Sequence, residues 1–177
     1  MMERTYTREW YIDTVCRLRD AVPDIAITTD IIVGFPGETE EDFNDTTRLL
    51  RDIEFDGTFS FQFSLRPGTP ATEFRDIVPD EVASRRLFEL QEFQREISMK
   101  KNLSSVGQIE EVLVEGESKN DTNWVSGRTT HNRIVNFPGM VELKGKLVNV
   151  EITDGFQNSL RGRMIEKSNG GKPCFLK

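Results

Sequence analysis

The sequence predicts an α/β part followed by a small all-β antiparallel barrel, and two observations support this division. In residues 1–106, segments with helical spacing alternate with short runs rich in β-branched residues, a pattern typical of α/β folds. After Gly107, short β-prone runs follow one another between turn residues, which is typical of a small barrel of OB-like size. We therefore expect two domains, residues 1–106 and 107–165, and a flexible tail over residues 166–177.

Three helices are expected in the first part. Thr7 has the side chain of an N-cap, and the apolar spacing behind it continues until Pro23 stops the pattern. Thr39 opens a second helix with acidic residues in its first turn, where they complement the helix dipole. A long third helix is predicted from Pro79 to Ser104.

Two strands are expected between these helices. The run from Ile25 to Phe35 is apolar on both sides of its alternation, which predicts a buried strand of a parallel sheet. The run from Thr58 to Leu65 has one phenylalanine-rich face and one polar face. Because two parallel strands cannot make a self-sufficient sheet, residues 1–106 are expected to be part of a larger barrel or sheet.

The polar faces of these two strands predict a cavity. If both faces point into a barrel lumen, one cavity is lined by Thr28, Asp30, Gln62, Ser64 and Arg66. Arg66 would then be a counterion for Asp30, and a purely structural ion pair is an equally weighted alternative to a ligand site. Position favours function, because the Gly34 turn and Arg66 follow the carboxyl ends of strands, where α/β folds bind ligands.

The second part offers a candidate nucleic-acid surface. Its five predicted strands are residues 109–114, 124–129, 133–137, 146–152 and 159–164. Arginine pairs with phosphate and stacks on bases, and aromatic rings are platforms for unpaired RNA. The candidate contacts are Arg128, Asn132, Arg133, Arg161 and Arg163, and the alternative is an ordinary barrel with a solvated basic face.

Composition limits the function classes. The chain has 177 residues with 30 acidic and 23 basic side chains, a net charge of -7, which argues against a uniformly basic coat for nucleic acid but is compatible with a local basic patch. DNA is not expected as a partner. With only Cys16 and Cys174, it lacks a cysteine quartet for zinc or an iron–sulfur cluster, and no metal ligands are assigned. No apolar run approaches membrane-span length, so no membrane partner and a cytoplasmic location are expected.

Several motifs together resemble the radical-SAM methylthiotransferase family. They are TTDIIVGFPGETEEDF from Thr28, FQFSLRPGTPA from Phe61, VLVEG from Val112, SGRT from Ser126 and NRIVNF from Asn132. The resemblance is to the C-terminal portion of these enzymes and covers residues 1–165 in order.

The resemblance implies both a fold and a reaction. It implies part of a radical-SAM barrel of the TIM type, followed by a TRAM domain, which is an RNA-binding β-barrel. The similarity is greatest to the branch that adds a methylthio group to isopentenylated adenosine beside the tRNA anticodon. The expected cofactors of the whole enzyme are S-adenosylmethionine and two [4Fe–4S] clusters, and the expected partners are the tRNA anticodon arm and the missing N-terminal part of the same enzyme.

Site roles follow from the resemblance only where its motifs remain. Asp30, Gly34, Ser64 and Arg66 are expected to shape the S-adenosylmethionine cavity, and the five barrel residues named above are expected to hold the anticodon arm. Family members carry three cysteines for an auxiliary cluster and a CxxxCxxC motif for the radical-generating cluster. Neither is present, so the chain alone is expected to be catalytically incomplete and to have no catalytic residue of its own. The alternatives are a stand-alone RNA-binding protein and the branch that modifies a ribosomal protein.

Overall fold

A computed structural model describes residues 5–119 and 121–165 of the chain. The expected tail over residues 166–177, including Cys174, lies outside the described residues. The contacts divide the chain into two compact units, one that ends at Ile97 and one that begins at Ser98. In the part of the chain that the structure describes, no helix is long and apolar enough to cross a membrane.

The first unit alternates helices with two strands, as the sequence predicts. Its elements are α1 (Arg8–Ala21), β1 (Thr28–Val33), α2 (Glu40–Ile53), β2 (Gly57–Gln62), a short 3-10 turn (Pro70–Glu73) and α3 (Asp80–Ser104), whose last residues belong to the second unit. The two strands pair in parallel, with Thr28 beside Gly57 and Val33 beside Gln62. The order of elements and the parallel pairing are therefore confirmed, although β1 is shorter than predicted at both ends and β2 at its carboxyl end, because those residues lie outside the paired strands.

Local hydrogen bonds explain where the first two helices begin. The Thr7 side chain accepts a hydrogen bond from the Trp10 amide, so Thr7 is the N-cap of α1. At α2, the Thr39 hydroxyl and the Asp42 side chain each accept the other residue's backbone N–H, which forms a capping box. These hydrogen bonds with Thr39 hold the pKa of Asp42 below its usual value.

The core of the first unit lies on one face of the two strands. Val33 from β1 packs with apolar side chains from all three helices and with Phe55, which lies two residues before β2. The fully buried members of this cluster are Val33, Leu50, Phe55 and Leu90, and Phe43 and Ile53 are nearly so. The helices therefore cover one face of the sheet, and the burial of these side chains is its main stabilising term.

The opposite face of β1 and β2 is exposed, which corrects two expectations. The strand β1 is not buried on both faces, because Thr28, Asp30 and Ile32 are exposed. The register places Asp30 beside Phe59 and Ile32 beside Phe61. Both phenylalanines are exposed, by 62% and 56% of their surface. The phenylalanine face of β2, rather than its polar face, therefore shares a surface with Asp30.

The second unit is a closed five-stranded barrel. Its strands are β3 (Ile109–Ser118), β4 (Asp121–Thr129), β5 (Ile134–Pro138), β6 (Leu147–Gly155) and β7 (Leu160–Ile165), in the order β3-β4-β5-β7-β6. Four of its neighbouring pairs are antiparallel, but β5 and β7 pair in parallel through Val135 with Leu160 and Asn136 with Arg161. The expectation of a purely antiparallel barrel was therefore wrong, since this parallel pair closes it.

Strand alternation fills the barrel interior. Alternate positions of each strand are buried, and the core side chains are Val112, Val114, Val125, Val135, Phe137, Val150, Ile152 and Leu160. Two inward positions are glycines because the neighbouring strand is too close for a side chain. A Cβ at Gly127 would lie 2.4 Å from the Leu113 carbonyl oxygen, and one at Gly162 would lie 2.6 Å from the Glu151 carbonyl oxygen.

The last turn of α3 packs against the barrel within the second unit. The Asn102 side chain donates to the Phe156 carbonyl oxygen at 2.6 Å. A Cβ at Gly155 would lie 2.6 Å from the Asn102 backbone, so glycine is required for this close approach. Asn102 and Ser105 are buried here, and both are hydrogen-bonded, as buried polar side chains are expected to be.

Substitution of Gly127 tests the packing of the barrel. Gly127→Ala is expected to lower the barrel's free energy of unfolding by about 1–3 kcal/mol, because the added methyl group overlaps the Leu113 carbonyl. Denaturant titration followed by Trp124 fluorescence, in a Trp10→Phe background, measures it. Ser126→Ala, at the neighbouring outward position of β4, is the control and should change the free energy by less than about 0.5 kcal/mol. Equal effects of the two substitutions would contradict the close approach.

Candidate cofactor loop and nucleic-acid interface

The turn after β1 is fixed by protein contacts on both sides. Gly34 has a φ of +73°, in the left-handed region that favours glycine, and a Cβ there would lie 2.7 Å from the Ala83 Cβ of α3. The Gly34 amide donates to the Glu38 carboxylate at 2.8 Å. Gly37 donates its amide to the Asp76 carbonyl oxygen at 2.7 Å. Packing of the turn against α3 therefore accounts for Gly34, which the sequence suggested as a point of ligand approach.

A buried arginine holds this turn to α3. Arg86 is only 4% exposed and donates to the Glu38 carboxylate at 2.7 Å and to the Glu38 carbonyl oxygen at 3.1 Å. Its other terminal nitrogen donates to the Glu40 carboxylate at 3.0 Å, and its guanidinium carbon lies 5.5 Å from the Phe43 ring centroid. Arg86, with some help from Arg85, holds the pKa of Glu40 below its usual value.

The sequence did not predict the ion pair between Arg86 and Glu38. Glu38 precedes an N-cap and is easily taken for a helix-start residue, whereas the structure buries its side chain to 11% exposure beside Arg86. Arg86 lies 48 residues further along the chain, on a helix with many charged residues. Nothing in the local spacing distinguishes it from the exposed Arg85 next to it.

The other predicted cofactor residues do not form one cavity in this chain. Asp30 is exposed on the face that also carries Phe59 and Phe61. Gln62 lies on the opposite face, where its side chain donates to the Ser84 hydroxyl of α3 at 2.7 Å. This geometry corrects the expectation that the polar faces of both strands line a common lumen.

Ser64 and Arg66 lie beyond the end of β2. Both are exposed, in the segment between β2 and the 3-10 turn. Within residues 5–119 and 121–165, no ion pair joins Asp30 to Arg66, so the structure does not contain the predicted pair. Asp30 instead borders a groove of about 420 Å³ beside β1, α1 and α2, whose walls include Tyr11 and Leu49.

The residues present do not fit an iron–sulfur cluster. In the described part of the chain, no three His, Cys, Asp or Glu side chains are grouped to hold a metal ion. Cys16 is an exposed free thiol on α1. The two cysteines of the whole sequence are fewer than the four thiolates that a [4Fe–4S] cluster ordinarily takes.

The predicted RNA residues divide by the partner that each one contacts. Arg128 on β4 donates to the Asn132 side chain at 3.0 Å and pairs with the Glu115 carboxylate at 3.2 Å, so the structure brings Arg128 and Asn132 together. Asn132 has a φ of +62°, which asparagine tolerates better than most residues. Arg163 on β7 pairs with Glu151 at 2.8 Å. Each of these two arginines thus has a carboxylate partner.

Arg133 has a different environment. Its guanidinium donates to the Ser105 hydroxyl at 2.6 Å and to the Lys101 carbonyl oxygen at 3.3 Å, in the last turn of α3. A cation at the carboxyl end of a helix donates to carbonyl groups that have no backbone N–H donor within the helix. Its position therefore gives Arg133 a structural role in the second unit, whereas the sequence suggested only an RNA contact.

Arg161 lies between two aromatic rings. The outward positions of β7 include both Arg161 and Arg163, with Leu160 and Gly162 buried, so the two arginines share the outer side of their strand. The Arg161 guanidinium carbon lies 5.4 Å from the Trp124 ring centroid and 5.3 Å from that of Phe156. The Arg161 guanidinium thus lies within cation–π distance of two aromatic rings.

Removal of Arg86 tests the buried pair. Arg86→Leu is expected to lower the free energy of unfolding of the first unit by about 3 kcal/mol, because Glu38 is left buried without its counterion. Arg85→Leu, which removes only exposed ion pairs, should cost less than about 1 kcal/mol. Denaturation followed by far-UV circular dichroism measures both, and hydrogen exchange at the Gly34 amide should accelerate only in Arg86→Leu. Similar losses for both variants would show that the buried pair has no special role.

Comparison with known proteins matches both units. Residues 103–165 match the TRAM domain family, and residues 1–50 match the Radical SAM superfamily. The chain is 50% identical over 164 residues to the tRNA-2-methylthio-N(6)-dimethylallyladenosine synthase of Clostridium botulinum, which is 93% of this chain and 36% of that protein. The proteins of the same name from Carboxydothermus hydrogenoformans and Anoxybacillus flavithermus are each 49% identical, over 93% and 95% of this chain and 37% and 32% of their own lengths.

The chain thus spans about a third of the length of the curated relatives that it matches. Nearly all of it aligns, and the two family matches occur in the order that the sequence motifs predict. The chain is therefore similar over nearly all of its length to proteins of this name, and its two units match the Radical SAM superfamily and the TRAM domain family in that order.

Proposed function

We propose that this chain is part of an enzyme that adds a methylthio group to isopentenylated adenosine beside the tRNA anticodon. The single observation that carries the proposal is the 50% identity to an enzyme named for this product, which extends over 93% of the chain. The whole enzyme would use S-adenosylmethionine and two [4Fe–4S] clusters. Since this chain does not provide the cluster ligands, the chemical step would require cysteines from another part of the enzyme.

The first unit would be part of a TIM-type barrel. Three observations support this proposal: its strands are parallel, its helices cover one face only, and the other face carries exposed apolar side chains. In such a barrel the uncovered face lies toward the lumen. Asp30, Ile32, Phe59 and Phe61 would then line the lumen, and strands from the N-terminal part of the enzyme would cover the edges of β1 and β2.

Roles for the cofactor residues follow from this placement. Asp30 would be the one acidic side chain of β1 in the lumen, where its carboxylate can accept hydrogen bonds from hydroxyl or ammonium groups of S-adenosylmethionine. Ser64 and Arg66 follow β2 and would border the same opening from its carboxyl end. Gly34 would act indirectly, because it lets the turn after β1 pack against α3.

The barrel of the second unit would hold the tRNA anticodon arm. Its exposed arginines Arg161 and Arg163 and its half-buried Arg128 can contact phosphates and bases, and Asn132 lies against Arg128. The carboxylate partners of Arg128 and Arg163 are exposed or half-buried, and such pairs contribute little free energy. A phosphate can therefore replace Glu115 or Glu151 at small cost. Arg133 would contribute by fixing the barrel to the last turn of α3.

Paired arginine substitutions test the RNA face. Arg128→Ala combined with Arg163→Ala is expected to weaken binding of an RNA hairpin with the sequence of an anticodon arm by about tenfold. It should also reduce the slope of log K against log salt by about 1 to 2, because two phosphate contacts are lost. Fluorescence anisotropy over a series of salt concentrations measures both quantities.

The matched control removes two exposed arginines from the first unit. Arg8→Ala with Arg48→Ala changes the net charge equally and also breaks two exposed ion pairs, with Asp52 and Asp45. This variant should bind the hairpin almost as the parent chain does. If both double variants weaken binding to the same extent, RNA is attracted by total charge and the proposed face is wrong.

A further inference from the structure

A cavity of about 400 Å³ opens on the outer surface of the barrel beside β4, β5 and β7. We name it the Trp124 pocket, and its walls include Ser118, Asp121, Trp124, Asn136, Phe156 and Arg161. Its volume falls within the range of about 300–1,000 Å³ that is typical of small-molecule sites. All of its walls belong to the second unit.

The apolar walls of the pocket are planar and are held in place. Arg161 lies 5.4 Å from the Trp124 ring centroid and 5.3 Å from the Phe156 ring centroid. Phe156 is fixed in the turn between β6 and β7, where its amide donates to the Ser159 carbonyl oxygen and its carbonyl oxygen accepts from Asn102. Aromatic rings and guanidinium planes are the surfaces on which unstacked bases pack.

These rings are not ordinary core side chains. Phe156 is 42% exposed, and Trp124 is only half-buried, whereas the barrel core residues next to them are fully buried. An exposed ring that is packed on a guanidinium leaves planar surface open to solvent. The geometry therefore favours a planar ligand over a purely structural role for the cluster.

The polar walls favour a base over a phosphate. Asp121 lines the pocket, and its Oδ1 accepts the Asn123 amide at 2.9 Å, which orients the carboxylate. The Ser118 hydroxyl and the Asn136 side chain are hydrogen-bonded to each other at 3.3 Å. A carboxylate repels phosphate, but it accepts hydrogen bonds from the amino group of a base, as acidic side chains do with the N4 amino group of cytosine.

We propose that the Trp124 pocket holds one unpaired nucleobase of bound RNA and prefers a base with an exocyclic amino group. This inference rests on the proposed RNA-binding function, and it adds a base-reading site to an interface otherwise built on phosphate contacts. Arg161 and the two rings provide the stacking surface, and Asp121 reads the amino group. Cytosine and uracil are a matched pair of probes, because they have the same ring size and uracil has O4 where cytosine has the amino group.

The test uses the full chain with Trp10→Phe, which leaves Trp124 as the single tryptophan. Trp10 is exposed on α1, so its replacement should not disturb the barrel. Short oligocytidine and oligouridine are titrated while Trp124 emission is recorded. Oligocytidine is expected to quench the emission and to bind about fivefold or more tightly than oligouridine, which corresponds to one discriminating base contact.

Three variants separate the contributions of the pocket. Asp121→Asn should remove most of the preference for cytidine, because an amide can also donate to the O4 of uracil. Arg161→Lys keeps the charge but loses the plane, so it should reduce quenching and affinity for both oligonucleotides without changing the salt slope. Phe156→Leu should act similarly, and Phe88→Leu, which changes an exposed phenylalanine of α3, should have no effect.

The outcomes distinguish this inference from the function on which it rests. One outcome is that the anticodon-arm hairpin binds with salt dependence while neither quenching of Trp124 emission nor a preference for cytidine is observed. In that outcome the pocket is not a base site, although the RNA-binding proposal stands. If neither the hairpin nor an oligonucleotide binds, both proposals are wrong. If Asp121→Asn leaves the cytidine preference intact, the assignment of Asp121 as the reader of the amino group is overturned.

Discussion

In the first unit, helices pack on only one face of the two parallel strands. Within the described residues, no element covers the other face. The covered face buries Val33 and its neighbours completely. The uncovered face exposes Ile32, Phe59 and Phe61 side by side across the two strands. An exposed apolar surface of this kind is typical of a site where another polypeptide segment or a ligand packs. The exposure of Asp30 follows from this asymmetry, because Asp30 lies on the uncovered face of β1.

The sequence predicted those features of the fold that depend on residues close together in the chain, and it did not predict those that depend on distant contacts. Thr7 and Thr39 marked helix starts correctly, because a cap is formed by residues within one turn of each other. The faces of β2 were assigned incorrectly, since alternation separates two faces without telling which one the helices cover. Gln62 packs against α3 through its hydrogen bond to Ser84, and this pairing joins residues 22 positions apart. The parallel pair that closes the barrel is likewise a distant contact, formed by only two pairs of residues.

The candidate site followed the same pattern. The outward placement of Arg161 and Arg163 could be predicted because two positions on one strand share a face. The Arg86 and Glu38 pair could not, because no local spacing connects these positions. Nor did the sequence show that Arg133 contacts the last turn of α3 while Arg128, five positions before it, contacts Glu115. Residue type identified the arginines as candidates, and only the contacts of each guanidinium separated their roles.

The group that each arginine of the barrel contacts determines which role that arginine can have. An arginine bound to carbonyl and hydroxyl oxygens of its own chain, such as Arg133, cannot leave them without exposing unsatisfied groups. An arginine paired with an exposed carboxylate, such as Arg128, can exchange that partner for a phosphate because surface pairs contribute little. Arg161 packs on rings, so it can keep its aromatic contacts while its plane or the rings accept a base. The same residue type thus supports the fold, the backbone contacts and the recognition of a base, and the neighbouring group decides which.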